Sequence, residues 1–432
     1  MLGIIIKASA NKSVFLDKIF NLNLPFFIYQ KLRSSNDKSN ISSRIIKIAI
    51  TSVFLGVFIS LSAISIGKGL QLAIKDKLYS LSEDIIISTY ENNSRGILSQ
   101  KIFNIEDVNI EIQNKYPDLQ LSYSIEKPSL ISNENSFESI VFRGFDNNYN
   151  FENLNKFILG SRIQSSLSNK EIIISKSLSD KLKVNVGEYL SLYFQTRKNQ
   201  KIPNIRSYKV LDIFKTDFPD FDNNYIIGSA ESLQNIYSWK ENEFASINIS
   251  VYDNSKIPIT EESLSKLKSI EKNNLSVKTV ESKYQNIFSW ISIFDFNIII
   301  ITILMILVAI ISVIISLFIF IFEKIKMIGI LTSLGLTNNS LREIFIYLGI
   351  DIILKGMIPA NILFFLVSVI QNNFKIIKLD PNDYYINSVP FSIDLVYIIS
   401  LNSSFIITSL IILYFTFVSI TKYTPSFNIN SK

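Results

Sequence analysis

Asp351 and Lys355 are the residues whose types and spacing most invite chemistry. They stand four apart within Ile344 to Ile370, an otherwise apolar stretch that also holds Pro359. On a helix that spacing puts both on one face, where carboxylate and ammonium can neutralise each other. An ionisable residue inside a long apolar segment marks function by default, as in a proton relay. The plainer reading is a structural pair or a contact with lipid headgroups, and composition alone leaves both open.

The remaining chemical inventory is short. The 432 residues include no Cys and no His, which removes disulfides, thiolate nucleophiles, Cys/His metal sites and imidazole acid–base catalysis. Carboxylate, hydroxyl or Lys chemistry remains. No GxxxxGK[ST] stretch occurs, so a phosphate-cradling loop would have to come from another chain. No catalytic, cofactor-binding or metal site is expected in this chain. A net charge of +6 would permit contact with nucleic acid or anionic lipid. The Lys residues are spread along the chain with Asn, Ile and Ser, as an AT-rich coding bias would spread them, and no basic stripe marks a nucleic-acid footprint.

The elements that must position these residues are apolar and bunched. Hydrophobic residues make up 48% of the chain and the mean hydropathy is +0.28, too apolar for an ordinary soluble enzyme. Crossing a hydrocarbon core of about 30 Å takes about 20 helical residues. Four segments qualify: Ile45 to Ile66, Ile298 to Phe322, Ile344 to Ile370 and Leu395 to Ile420. Lys7, Lys12, Lys18, Lys31, Arg33, Lys38 and Arg44 precede the first span, which places the N-terminus in the cytoplasm by the positive-inside rule.

Four crossings then divide the chain into a cytoplasmic segment 1–44, span 45–66, an external domain 67–297, span 298–322, a cytoplasmic loop 323–343, span 344–370, an external loop 371–394, span 395–420 and a cytoplasmic tail 421–432. Lys324, Lys326, Arg342 and Lys422 fall on the inner side, in agreement with the first assignment. Leu2 to Ile6, with Lys7 and Ala8-Ser9-Ala10 after it, is superficially signal-like but too short for an apolar h-region, so Met1 to Asn23 is expected to be a cytoplasmic leader.

Between the first two spans the character changes to that of a soluble α+β module. Strands are expected at Glu83 to Thr89, Ser139 to Gly144, Glu171 to Ser175, Tyr189 to Gln195, Ser207 to Phe214 and Phe244 to Val251. Helices are expected at Ile105 to Lys115, Lys176 to Lys183, Ser229 to Tyr237 and Ile259 to Glu271. Tyr189 to Gln195 and Ser207 to Phe214 alternate at period two around a polar, basic tip, Thr196 to Arg206, so they form a long projecting hairpin. Leu70, Ile74, Leu78 and Leu81 recur at near-helical spacing, so the first helix should run on past the bilayer as a stem.

The inner loop, EKIKMIGILTSLGLTNNSLREIF from Glu323 to Phe345, reads as a short apolar helix ending at Gly335, with Thr337 capping the next. One helix, a large external domain, three further helices and this loop resemble the permease family of lipoprotein-releasing, MacB-type and FtsX-type proteins. The resemblance runs over most of the chain. Leu24 to Leu32 resembles that family's amphipathic N-terminal stretch. Ile328, Gly329, Ile330 and Leu331 with Leu334 and Gly335 resemble the loop that docks on the ATPase subunit, although Thr332 and Ser333 stand where a basic residue and Ala are usual.

Leu379-Asp380-Pro381, Tyr384-Tyr385 and Val389-Pro390 resemble the last external loop of the lipoprotein-releasing branch, the LolC/LolE kind. Lys201, Ile202, Pro203 and Arg206 resemble the hook that such proteins offer to a periplasmic chaperone. For the charged span, the resemblance covers only the pair Lys355-Gly356 and gives Lys355 no catalytic role, which favours the structural or headgroup reading.

The resemblance implies a multi-pass protein of the inner membrane of a diderm bacterium, with both termini cytoplasmic. Its implied partners are a LolD-like ABC ATPase that binds the ATP and Mg, a second permease chain (a copy or a paralogue), lipoprotein cargo, membrane lipids and a LolA-like chaperone, with no nucleic acid. Val53 to Ile64 and the start of the second span would wall a cavity between two such chains. The rival readings are an FtsX-like relay that activates a cell-wall hydrolase, and MacB-like efflux.

Overall fold

The computed structural model describes residues 24–34, 41–90, 100–133, 136–163, 167–196, 202–251 and 257–427. The expected leader 1–23, the hairpin tip 197–200 and Lys201 lie outside them. The chain divides into two compact units. One holds the residues up to Leu70, Ile293–Ile376 and Val389 onward, and the other holds Gln71–Ser292 with Ile377–Ser388.

The first unit is helical. Ile41–Leu81, Gln285–Glu323, Asn338–Phe374 and Leu395–Phe427 are single helices, and each contains a stretch long and apolar enough to cross a membrane. All four are longer than the apolar runs that announce them, because helical backbone continues wherever its hydrogen bonds can be made. On the second, Ile299, Ile303, Leu307, Ile311 and Ile315 recur every four residues and all are exposed. Such a stripe suits lipid or another apolar helix and would be costly in water.

The inward faces meet through small residues. A Cβ on Gly56 would fall 3.1 Å from the Met305 carbonyl oxygen, and one on Gly356 would fall 2.7 Å from Val53 Cβ, so these two glycines let the first helix approach the second and third. Val53, Val57, Leu61, Val313, Ile352, Phe364 and Phe405 fill the core between the helices. The short helix Leu24–Ser34 lies against this bundle through Tyr29, which is buried with its ring 6.0 Å from that of Tyr347. Leu24, Phe26 and Phe27 on the same helix stay exposed.

Among the described residues, the second unit is built on a nine-stranded mixed sheet. Its strands are β1 (Ile85–Thr89), β2 (Gln120–Asn133), β3 (Ser136–Phe145), β4 (Glu171–Ser175), β5 (Tyr189–Phe194), β6 (Asn204–Phe214), β7 (Tyr225–Ser229), β8 (Ser246–Ser250) and β9 (Leu275–Thr279). The order is β3-β7-β4-β6-β5-β2-β8-β1-β9, and β2 also pairs with β3. Six strands therefore close into a ring, and β8, β1 and β9 extend from it. Strand β2 serves both parts: residues 120–124 pair with β8 and residues 129–132 with β5. Pro128, which has no N–H to give, lies in the gap between those two partners on that edge.

Each part has its own core. Ile125, Phe142, Ile172, Leu192, Phe194 and Val210 fill the ring, while Ile85, Ile87, Val108, Ile112, Ile247 and Leu264 lie under the extension. Strand β1 follows directly on the first membrane helix and β9 comes shortly before the second. The two strands are antiparallel neighbours, with Ile85 opposite Thr279.

Against the sequence reading, β4 and the helix Ile105–Lys115 coincide residue for residue. Strand β6 begins at Asn204 rather than Ser207, so Arg206 lies in a strand, and Ile259 to Glu271 resolves into two helices, Ile257–Ser265 and Lys268–Lys272. Strands β2, β7 and β9 were not expected. Glu126, Lys127 and Pro128 break the pattern of β2, β7 is a buried run cut by Gly228, and β9 (LSVKT) is too short and mixed to stand out.

Candidate functional site

The inner loop folds as a helix, Ile325–Ser333, with no buried residue. It ends in a complete Schellman turn: Gly335 N–H donates to the Thr332 carbonyl and Leu336 N–H to the Leu331 carbonyl, each at 3.0 Å, with Gly335 at φ +101°. Only glycine adopts that backbone without strain. Thr337 then caps the third membrane helix by accepting from Ser340 N–H at 3.3 Å.

Of the expected docking residues, Ile330 is 62% exposed and Leu334 80%. Ile328, Gly329 and Leu331 are half-buried, and a Cβ added at Gly329 or Gly335 would meet nothing within 4 Å. Ile328 packs against the bundle core, while the exposed side chains of Ile330 and Leu334 give this surface the apolar character of a docking face. The Thr332 hydroxyl donates to the Ile328 and Gly329 carbonyls at 3.0 and 2.9 Å, and Ser333 donates to Ile330 at 2.8 Å. The two residues that depart from the family pattern thus fold back on their own helix and add no charge to the face.

Asp351 and Lys355 form an ion pair on the third membrane helix, ammonium to carboxylate. The Lys355 side chain is 41% exposed and that of Asp351 17%, so the pair sits on the rim of the bundle rather than in its centre. Gly356, next to Lys355, faces inward on Val53 and Ile50.

In the second unit, the hairpin is β5 and β6, registered from Tyr189 opposite Lys209 to Phe194 opposite Asn204. Ile202 is 76% exposed, and Pro203 and Arg206 are also exposed. Beside them a groove of about 520 Å³ is lined in part by Lys170, Tyr189, Ile205, Arg206 and Asn235. Toward the hairpin's tip, the Tyr237 hydroxyl donates to the Gln195 carbonyl at 3.2 Å. Lys127 holds its ammonium 4.6 Å from the Tyr237 ring and 4.7 Å from that of Trp239, and burial draws its pKa down to about 8.

One cluster escaped the sequence reading. Arg143 of β3 is 2% exposed, its Nε 3.1 Å from Glu126 Oε1, one Nη 3.9 Å from Glu83 Oε1 and the other donating to the Leu81 carbonyl at 3.2 Å. Its guanidinium lies 4.9 Å from the Phe145 ring. Burial pushes the Glu83 carboxyl up, an effect the Arg143 charge partly offsets. Burial also opposes ionisation of Glu126, but the charges of Lys283 and Arg143 prevail and hold it below its usual value. Arg143 thus fastens the end of the first membrane helix to β2 and β3. A lone Arg in FRGF carries no signal of this, because its partners come from residues 81, 83 and 126.

Four apolar helices with a large folded module between the first and second define an integral membrane protein with one major external domain. Residues 48–267 match the family described as MacB-like periplasmic core domain, and residues 299–425 match FtsX-like permease C-terminal. The chain is 25% identical over 400 residues to the lipoprotein-releasing system transmembrane protein LolC of Buchnera aphidicola subsp. Schizaphis graminum, a match covering 90% of this chain and 94% of that one. The periplasmic region of MacB from Actinobacillus actinomycetemcomitans aligns at 16% identity over 47% of this chain and 91% of its own, with a TM-score of 0.33. The extracellular domain of the ABC-type transporter YknZ from Gram-positive bacteria aligns at 14% over 46% and 99%, with a TM-score of 0.31. The chain belongs to the FtsX/MacB-like family of ABC transporter permeases, of the LolC type, and is an inner-membrane protein with a periplasmic core domain.

Proposed function

We propose that this permease releases lipoproteins from the outer leaflet of the inner membrane toward the outer membrane, driven by a separate ABC ATPase docked on Ile328 to Gly335. The observation that carries this reading is the correspondence, nearly end to end, with a chain named for lipoprotein release. Drawing acyl chains out of lipid costs about 0.8 kcal/mol per CH₂, so three chains need a coupled energy source. No GxxxxGK[ST] stretch occurs in this sequence, and its exposed apolar inner helix suits an ATPase groove. Both termini would be cytoplasmic, two permease chains would enclose the cargo path, and the hairpin with Ile202, Pro203 and Arg206 would hand cargo to a periplasmic carrier.

Affinity purification from native membranes in mild detergent, with mass spectrometry of proteins and attached lipids, tests the reading. An ABC ATPase together with triacylated lipoproteins is the expected result. An ATPase with an envelope hydrolase and no acylated cargo would favour the signalling role instead, and an ATPase with a periplasmic adaptor would favour efflux.

A further inference from the structure

The external loop between the third and fourth membrane helices associates with the periplasmic unit rather than with the helices it joins, since Ile377–Ser388 clusters with Gln71–Ser292. The loop is a shaped element. A bridge between Lys378 and Ser388 closes its base, and Leu379 N–H donates to the Asn387 carbonyl at 2.9 Å. The Asp380 carboxylate caps the turn Pro381–Tyr384 by accepting from Asn382 N–H at 2.9 Å. The turn delivers Tyr385 in the left-handed region, φ +58°, a conformation that costs a non-glycine residue free energy and holds only where the surroundings fix it.

What fixes it comes from three places. The Tyr385 ring lies 4.8 Å from that of Phe218, after β6, and 5.9 Å from that of Trp290, at the start of the second membrane helix. Its carbonyl accepts from Lys77 Nζ, late in the first membrane helix, at 2.7 Å. Two residues on, the Asn387 amide donates to the Asp217 carboxylate. The receiving turn is itself prebuilt: the buried Asp222 carboxylate accepts from the Thr216 hydroxyl at 2.7 Å and from the N–H groups of Thr216 and Asp217 at 3.1 and 3.0 Å. One residue therefore touches the first membrane helix, the start of the second and the turn after β6, while its own chain continues at either end into the third and fourth membrane helices.

We propose that the loop Ile377–Ser388 is a strut that carries movement of the third and fourth membrane helices into the periplasmic domain, with Tyr385 as its knob and Lys77 as its latch. The inference rests on the transporter reading above, in which nucleotide acts at the inner loop leading into the third helix. Tyr385 and Lys77 are then positioning residues for transport and touch neither cargo nor nucleotide.

The test uses the permease–ATPase complex in proteoliposomes. Tyr385→Ala should leave ATP hydrolysis within about twofold of wild type and lower cargo released per ATP by tenfold or more, while Tyr385→Phe, which keeps the ring, restores release. Hydrogen exchange of the same complex, with and without a non-hydrolysable ATP analogue, needs no cargo. Wild type should show a nucleotide-dependent change over residues 216–222, and Tyr385→Ala should lose that change yet keep the response at the inner loop. Lys77→Met, which removes the hydrogen bond to the Tyr385 carbonyl and the positive charge near Asp217 and Asp222, carries the same expectation should Tyr385→Ala fail to accumulate. Unchanged release per ATP, or an unchanged response at 216–222 in these variants, overturns the strut. A response that depends on Tyr385 in a complex releasing no lipoprotein would retain the strut and remove the proposed cargo.

Discussion

Asn361 and Asn402 exchange two amide hydrogen bonds between the third and fourth membrane helices, at 3.0 and 2.9 Å. Each side chain gives its second N–H to the carbonyl four residues back, Met357 and Ile398, both at 2.8 Å. In lipid, where no water can substitute, a doubly satisfied pair of this kind specifies which faces of two helices meet.

Replacing Asn402 with Leu strands the Asn361 amide and should destabilise the bundle by about 1 kcal/mol. Replacing both should cost less than the two single changes added together, because the second change removes the orphan left by the first. Thermal unfolding in detergent across the four variants measures this coupling, and strictly additive effects would mean the pair is incidental.

At the inner helix, backbone and surface can be separated. Gly335 has open space around it but a left-handed φ, so Gly335→Val should strain the turn by about 1–2 kcal/mol. Gly329 is helical and equally open, so Gly329→Trp leaves the turn intact and should still abolish ATPase co-purification, as should Gly335→Glu. Normal co-purification with Gly329→Trp would place the ATPase elsewhere.

Removing the cation at the Arg143 cluster leaves the charge of Lys283 alone to offset the buried carboxylates of Glu83 and Glu126. Arg143→Met should cost about 3–5 kcal/mol, read as a lower unfolding temperature of the periplasmic unit by the fluorescence of Trp239. Arg143→Met combined with Glu126→Gln should recover part of the loss. A single variant as stable as wild type would show that the cluster bears no load.

An acid-sensitive cap gives a pH signature. Glu111 accepts from Ser269 N–H at 2.8 Å and Lys268 N–H at 3.3 Å, and the Ser269 hydrogen bonds, with Lys115 beside them, hold its pKa down to about 2 from a usual 4.5. A depressed carboxyl stabilises the fold above its unfolded pKa and loses that contribution as pH falls through its folded one. The stability contributed by Glu111 should therefore drain away between about pH 4.5 and 2, by about 1 kcal/mol after allowance for its partial exposure. Glu111→Gln should flatten that part of an acid titration of thermal stability, and an identical slope in the variant would assign the acid sensitivity to other groups.

For the charged pair in the third helix, Asp351→Asn or Lys355→Met alone leaves one charge at the rim of the bundle and should lower stability in nanodiscs by about 2–3 kcal/mol. The double variant should return most of it and keep ATP-dependent transport if the pair is structural. Loss of transport in a stable double variant would instead indicate a proton or ion path.

The membrane helices, the inner loop and most of the domain's helices were legible from composition and period alone, because long apolar runs and the Gly335 stop reflect local chemistry. Strand β2 was not. Its Lys127 is buried only because Tyr237 and Trp239 stand over it, and its Pro128 is tolerated only because β2 changes partner there, facts that belong to the sheet and not to the segment. The same holds for Arg143 and Tyr385, whose partners lie far off in sequence. The motif Leu379–Tyr385 could be recognised by resemblance, but the association of that loop with the periplasmic unit depends on Phe218, Trp290 and Lys77.

Ile85 and Thr279 face each other across neighbouring strands, so the polypeptide leaves the first membrane helix and returns toward the second through a single paired position, with Cα atoms about 5 Å apart. Everything between them is topologically a plug-in. A module whose two ends meet at one strand pair can be exchanged for another with the same pair. A transplant cut at 85 and 279, including the matching Tyr385 loop, is therefore the natural unit for building chimeras within this family.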